Sequence, residues 1–382
     1  MPLHRILHLA DLHLGYEHAY LGERAARRAE EAVQTLERVV DWALDGENQI
    51  AAVLIAGDLF ESHQPESRLL GRVIQVLKQI PSSGRTLVTV PGNHDEFSYP
   101  DSVYRQQVNT WPGTLVTCPH FERAASIEVG DSLCAIYSLA FTAGLSAKRL
   151  SLPEGLGKPE AREVRIALLH GTLDADPADR TYRIDTCSLA DAGFAYAALG
   201  HIHKPARTTC GDGFALYPGT LNGKGFDDPG TGDLTVVSFP GGRARVDTVP
   251  IPVRPIRTQT IDLSHYENQE QLIAHLERSP DPEAIVRVVF EGVCPGDWDP
   301  QALQGRLSGC FHHLEVDDRS LVVAAADLER IGQQPTVKGL FVQMMREKLA
   351  SAEASGNAEE SERLGLALKR GLAAFEAITQ GR

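Results

Sequence analysis

Residues 86–96 read TLVTVPGNHDE. Five residues rich in Val, Thr and Leu fit a buried strand. Pro91 and Gly92 then end the run, and Asn93, His94 and Asp95 follow side by side. An amide, an imidazole and a carboxylate crowded where a strand leaves the core are poor material for packing and good material for binding. The same grammar recurs four times. RILHLA (5–10) leads into Asp11 and His13, AAVLIA (51–56) into Gly57 and Asp58, VRIALL (164–169) into His170, and AYAAL (195–199) into Gly200, His201 and His203. Continuous apolar runs of this length are what strands buried on both faces require. Sites in open α/β sheets gather beyond the carboxyl ends of the strands. Five strand ends of this kind, in order, are expected to converge on one place.

Between the runs lie helical periodicities. ERAARRAEEAVQTLERVVDWAL (23–44) carries Val33, Leu36, Val40 and Ala43 at three- and four-residue spacing, and ESRLLGRVIQVLKQI (66–80) carries Leu69, Leu70, Val73, Val76, Leu77 and Ile80. An α/β alternation therefore fills the first ~200 residues, and β-rich sequence follows from 207 to 253. RPIRTQTIDL (254–263) reads as a passage into a small α+β module of helix, strand, helix and strand. TVKGLFVQMMREKL and RLGLALKRGLAAFEAI then read as two amphipathic helices joined by the polar stretch ASAEASGNAEES. The expected organisation is a domain over 1–253, a cap over 254–330 and a helical tail over 331–382. The apolar face Val337, Leu340, Phe341, Met344 suits either a core or a partner surface.

With 382 residues, 42% hydrophobic and 23% charged, the composition suits a soluble globular chain of two or three domains. No run approaches the roughly 18 apolar residues of a membrane span, and the N-terminal stretch, with His and Asp inside it, is not a signal peptide. Cysteines at 118, 134, 187, 210, 294 and 310 form no C-x-x-C pair, which fits a reducing cytoplasm better than a disulfide framework. The net charge of −14 argues against gripping nucleic acid through overall positive charge. It leaves open an enzyme whose local positive charge comes from metal.

Seven side chains are candidate ligands: Asp11, His13, Asp58, Asn93, His170, His201 and His203. Mixed oxygen and nitrogen donors suit Mn²⁺, Fe or Zn²⁺ better than an all-oxygen Mg²⁺ site. Seven exceed the needs of one tetrahedral ion and suffice for two ions sharing a carboxylate. If the backbone is extended there, Asp11 and His13, like His201 and His203, each present two groups to one face.

The set DLH (11–13), GDLF (57–60), GNHD (92–95), LLHG (168–171) and GHIHKP (200–205), extended by YPGTLNGKGFDD (217–228), resembles the calcineurin-like metallophosphoesterase superfamily. Within it the chain is most similar to SbcD-type nucleases of double-strand-break repair and their YhaO-like relatives. The resemblance implies a four-layer αββα sandwich with a small α+β capping domain and C-terminal helices. It implies that Asp11, His13 and His203 hold one metal, that Asn93, His170 and His201 hold a second, and that Asp58 bridges both. His94 would face the scissile phosphate, Asp95 would orient His94, and Gly92 would permit the tight turn. SbcD-type nucleases often carry His after GDLF, whereas this chain has Glu61, with His63 two residues on. His63 and Tyr217 are the further candidates for contact with substrate.

The expected activity is two-metal hydrolysis of phosphodiester bonds by a DNA nuclease, exo or endo, with Mn²⁺ as the favoured ion and Fe, Zn²⁺ or Mg²⁺ as the other candidates. The implied partners are DNA, an SbcC-like ATPase and a second copy of the chain, without a membrane. Two alternatives stand beside it: a phosphodiesterase acting on cyclic nucleotides or other small molecules, and a largely non-catalytic scaffold binding DNA or the ATPase.

Overall fold

The structure is a computed structural model that describes residues 4–142, 150, 152, 156, 159–160, 162–176, 182–292, 294, 298–320 and 325–379. The chain divides into two compact units, Met1–Val253 and Arg254–Arg382.

In the first unit, β1 (Arg5–Leu9), β2 (Ile50–Ala56), β3 (Thr86–Val90) and β4 (Thr114–Leu115) run parallel in one sheet. The second sheet receives β5 (Glu122–Val129), β6 (Ser132–Ser138) and β7 (Glu163–His170). A separate short pair, β8 (Thr172–Leu173) and β9 (Arg183–Ile184), comes next. β10 (Phe194–Gly200), β11 (Ala206–Cys210) and β12 (Gly213–Tyr217) complete the second sheet in the order β11-β12-β10-β7-β6-β5. β13 (Asp233–Ser238) and β14 (Arg245–Pro250) return to the first sheet, whose order is β14-β13-β1-β2-β3-β4. All seven residues of β2 are buried, which explains its unbroken apolar run.

The two sheets share a core in which Ile6, Leu54 and Val88 of one meet Ile136, Ile166, Tyr196 and Ala198 of the other. Helices α1 (Ala25–Leu44) and α2 (Ser67–Ser82) cover the outer face of the first sheet through Val33, Leu36, Val40, Val73, Leu77 and Ile80. The short α3 (Val103–Gln106) adds Tyr104 to the same cluster. On the outer face of the second sheet, Leu189 of α4 (Thr186–Asp191) packs with Tyr137, Leu169, Phe194 and Leu199. The result is the α/β sandwich, two mixed sheets with helices outside.

His8 lies on the inward face of β1, fully buried, with Nδ1 2.8 Å from the Tyr196 hydroxyl. Burial lowers its pKa to about 3. A histidine kept neutral in the fold but free to protonate when unfolded contributes stability that is complete above pH 6.5 and is lost as pH falls toward 3. At pH 5 that loss is about 2 kcal/mol, at ~1.4 kcal/mol per pH unit. The variant His8→Leu is therefore expected to flatten the acid limb of thermal stability between pH 6.5 and 4.5. Equal slopes for both proteins in calorimetry would count against it.

The second unit begins with a strand. RPIRTQTIDL is not a mere passage, because β15 (Ile256–Asp262) pairs in parallel with β16 (Asp281–Glu291), which pairs in parallel with β17 (Phe311–Asp318). Parallel neighbours need crossovers, supplied by α5 (Gln269–Glu277) and α6 (Pro300–Leu307). Leu263, Leu272, Val286, Phe290, Leu303 and Leu307 form its core. The same unit holds α7 (Ala325–Gly332), α8 (Val337–Ala354) and α9 (Ala358–Thr379). The polar stretch expected to be a loop is largely helical. Its Ala, Ser and Glu residues suit helix ends, and only residues 355–357 interrupt, with Gly356 at φ +69°. Val342 and Met345 of α8 pack on Leu368 and Leu372 of α9. Val337, Leu340 and Met344 stay 76%, 58% and 48% exposed, while Phe341 turns to the packed side.

Candidate metal centre

Each of the five strand ends delivers its polar residues to the same place. β1 runs into Asp11 and His13, β2 into Asp58, and β3 into Asn93 and His94. β7 ends on His170, and β10 leads to His201 and His203. The delivery is not by extended backbone. Asp11 (φ +53°), His13 (φ +45°), Asp58 (φ +49°) and His201 (φ +105°) are left-handed, so the same-face pairing of i and i+2 does not apply. Such conformations cost a non-glycine residue about 1–3 kcal/mol and persist where the surroundings enforce them. Here the exits of β1 and β2 bond to each other, Asp11 N donating to Gly57 O at 3.1 Å and His13 N to Asp58 O at 3.0 Å. The Asp11 carboxylate in turn accepts from His201 N at 2.9 and 3.1 Å.

The side chains form overlapping groups that meet at Asp58, with His13 and His94 on one hand and with Asp11 and His170 on the other, ligating atoms lying within 4.8 Å of one another in each. Ligating atoms of Asp11, His13 and His203 lie within 4.8 Å of one another. Asn93 Oδ1 lies 2.9 Å from His170 Nε2 and 2.8 Å from His201 Nδ1. Asp58 Oδ2 stands 3.8 Å from His13 Nε2 and 3.4 Å from His170 Nε2, facing both groups. Gly92 serves this approach rather than a strained turn: a Cβ there would fall 2.1 Å from Asp58 Oδ1. Gly200 is needed in the same way, since a Cβ would meet Ala56 O at 1.9 Å.

Proton positions show that the donor set fits a cation. His170 Nδ1 donates to Ala56 O at 2.9 Å, so its Nε2 carries a lone pair. That lone pair faces the Asn93 amide oxygen, also an acceptor. His203 Nδ1 donates to Asp228 Oδ2 at 2.7 Å, which leaves its Nε2 lone pair 3.0 Å from His13 Nε2. Imidazoles whose far nitrogen is held by a carboxylate or carbonyl are the usual metal-ligating arrangement. Burial lowers the pKa of His13, His170 and His201, the last to about 4, which keeps them as neutral donors. Burial and the nearby Asp58 charge push Asp11 well above the carboxylate range, a cost that bound positive charge would relieve.

Two expectations are corrected. Asp95 does not hold His94: its carboxylate accepts from Gly92 N (2.7 Å), Phe60 N (3.1 Å) and Tyr104 Oη (2.9 Å), tying the β3 exit to the β2 exit. Burial and the Asp58 charge push its pKa up to about 7. His94 instead directs Nδ1 to the Glu61 carbonyl at 3.1 Å, with Glu61 Oε1 at 3.6 Å. Tyr217 is buried, its hydroxyl donating to Gly171 O (2.8 Å) and accepting from Leu173 N (2.9 Å), so it braces the loop after His170 rather than facing substrate. His63 is partly exposed and stacks on Tyr99 at 4.3 Å between ring centres. Sequence reasoning missed Asp228, Lys224 and Tyr104, and assigned no role to Glu61. The only signal for the first two was the motif YPGTLNGKGFDD, which contains them.

Residues 4–205, more than half of the chain, match the family described as calcineurin-like phosphoesterase. The chain belongs to this family. As a calcineurin-like phosphoesterase it is a hydrolase acting on phosphoester bonds, of a family that uses divalent metals. It is similar to the DNA double-strand break repair protein Mre11 of Saccharolobus solfataricus, 24% identical over 305 residues that cover 75% of each chain. A second Mre11, from Methanopyrus kandleri, is 25% identical over 351 residues, 86% of this calcineurin-like phosphoesterase and 75% of the relative. The uncharacterized metallophosphoesterase YhaO of Bacillus subtilis is 23% identical over 329 residues, 82% of this chain and 77% of that one. Among the described residues no helix is long and apolar enough to cross a membrane.

Proposed function

We propose that the protein is a dinuclear metal-dependent phosphodiesterase, a DNA nuclease of the double-strand-break-repair type, working in the cytoplasm. The observation that carries this reading is Asp58 Oδ2, which faces His13 on one side and His170 on the other. Asp11, His13 and His203 would hold one cation, Asn93, His170 and His201 the other, and Asp58 would serve both, with Mn²⁺ the ion best matched to the mixed donors. Bound cations there would supply positive charge against the phosphodiester and a water acidic enough to react near neutral pH.

The chain's own residues do the rest. Asp58 Oδ1 accepts from His94 N at 2.9 Å, which fixes the His94 backbone against the bridging carboxylate. With Nδ1 held on the Glu61 carbonyl, His94 keeps Nε2 for the leaving oxygen, to which the doubly protonated ring can hand the Nε2 proton. Similarity to two Mre11 proteins over three quarters of the chain or more supports DNA as substrate. The test is purified protein with Mn²⁺ and three substrates: single-stranded DNA, double-stranded DNA and bis-p-nitrophenyl phosphate. Cleavage of DNA is the expected result. Turnover of the small diester alone would move the assignment to a small-molecule phosphodiesterase, and turnover of none would favour a scaffold.

The exposed stripe Val337, Leu340, Met344 on α8 supports docking of an SbcC-like ATPase, since helix faces bind partners through anchors at such spacing. Leu340→Asp combined with Met344→Asp is expected to cut ATPase binding at least about tenfold, ~1.4 kcal/mol, with diester hydrolysis unchanged. Pull-down and turnover assays read the two effects separately. Pairing of two copies is part of the same proposal, and a light-scattering mass equal to the 41.6 kDa monomer would remove it.

A further inference from the structure

The loops that follow β2 and β3 carry an aromatic pair that the ligand scheme does not use. His63 stands five residues beyond Asp58, and Tyr99 five beyond His94. Their rings stack, 4.3 Å between centres and 24° from parallel. The backbone holds the pair in place. Val103 N donates to His63 O at 2.8 Å, and Ser102 N to Tyr99 O at 3.0 Å. A side-chain bond from Gln64 to Asp101 fastens the same two loops. His63 thus covers one face of the Tyr99 ring, yet Tyr99 remains 46% exposed.

Resting on the phosphodiesterase reading, we propose that Tyr99, backed by His63, is a shelf for one unpaired nucleobase of the DNA being cut, and that it sets a preference for single-stranded over paired substrate. The two loops leave the β-strands that deliver Asp58, Asn93 and His94, so the shelf lies at the same end of the first sheet as the ligands. Local charge decides which part of a nucleotide it takes. Asp101 Oδ1 lies 3.8 Å from His63 Nε2, on a side chain 58% exposed. A phosphate would meet that negative charge, whereas a neutral base gains from an aromatic face. Because His63 already fixes the plane of Tyr99, little side-chain freedom is lost when a base arrives. A base inside a duplex has both faces covered by its neighbours, so only an unpaired base can use the shelf.

The test compares two oligonucleotides of equal length, an oligothymidine and the same deoxyribose-phosphate chain without bases. Affinities are read by fluorescence anisotropy on metal-free protein, where neither is consumed. Wild type is expected to hold the base-bearing oligonucleotide about tenfold more tightly, within the range that a base-stacking ring contributes. Tyr99→Ala should lose that difference, Tyr99→Phe should keep it, and His63→Ala should narrow it. With Mn²⁺, Tyr99→Ala should raise KM for the oligothymidine by a similar factor, at unchanged kcat and unchanged Mn²⁺ affinity. Affinity for a closed circular duplex should be the same in wild type and Tyr99→Ala.

Equal affinity of wild type for the two oligonucleotides would overturn the proposal, as would a difference that persists in Tyr99→Ala. So would a changed light-scattering mass in Tyr99→Ala, which would make the ring a contact between copies of the chain. Should Tyr99→Ala fail to fold, Tyr99→Leu takes its place, since it keeps apolar bulk and loses the aromatic face. A wild type that cleaves DNA with Mn²⁺ yet shows no base preference would defeat the shelf and leave the functional reading standing. One that prefers the base-bearing oligonucleotide, loses the preference in Tyr99→Ala and cleaves no DNA would do the reverse.

Discussion

Asp58→Ala is expected to lower Mn²⁺-dependent diester hydrolysis by at least about 10³-fold, ~4 kcal/mol at 1.36 kcal/mol per factor of ten. Asp58 Oδ2 is the atom that faces both ligand groups, so its loss removes a donor from each. The other oxygen accepts from His94 N, so the histidine proposed to face substrate loses its backbone anchor as well. Mn²⁺ stoichiometry by calorimetry should fall below two per chain. The variant Asp58→Asn, which keeps the side chain's shape and removes its charge, should abolish turnover as well. Wild-type turnover in either variant would sink the idea of a shared ligand.

His94→Gln is expected to reduce kcat by about 10²–10⁴, the range of general acid–base contributions. Mn²⁺ affinity should stay within about twofold of wild type, a difference below RT ln 2, roughly 0.4 kcal/mol. The pairing of these two results matters because a nitrogen of His94 also lies within 4.8 Å of ligating atoms of His13 and Asp58. A histidine that holds metal and one that faces substrate would both lose activity on mutation. Only the first would lose Mn²⁺ binding. A tenfold or larger fall in affinity would reassign His94 to the ligand set.

The strands and the place where they end could be read from the sequence for one physical reason. A strand buried on both faces must be apolar throughout, so its exit into polar residues is abrupt. β2 shows this most plainly, passing from seven buried residues to Asp58 in two steps. Backbone handedness was not legible. Asp and His are among the residues that adopt a positive φ more readily than most, but no local pattern assigns it to Asp11 or His13, where bonds between neighbouring strand exits hold it. The misreading of Asp95 has a similar origin. Adjacency to His94 suggested a partner, but consecutive side chains diverge, and three donors brought from Gly92, Phe60 and Tyr104 claim the carboxylate. Asp228 and Lys224 act across long sequence separations, on His203 and Glu61, and no local spacing could have paired them. The first strand of the second unit was missed because its exposed residues, Arg257 to Thr260, break the apolar run that marks the other strands.

The grip of α1 on the loop after β12 reaches beyond local packing. Arg28 is 1% exposed on an outer-layer helix, yet its guanidinium holds Gly223 O, and Thr35 Oγ1 on the next turns meets Asn222 Oδ1. Thus a random-mutagenesis survey scored on catalysis should return position 28 among its hits, alongside residues that ordinary inspection would call the working parts. Engineers grafting this centre onto another scaffold would have to transplant that helix too.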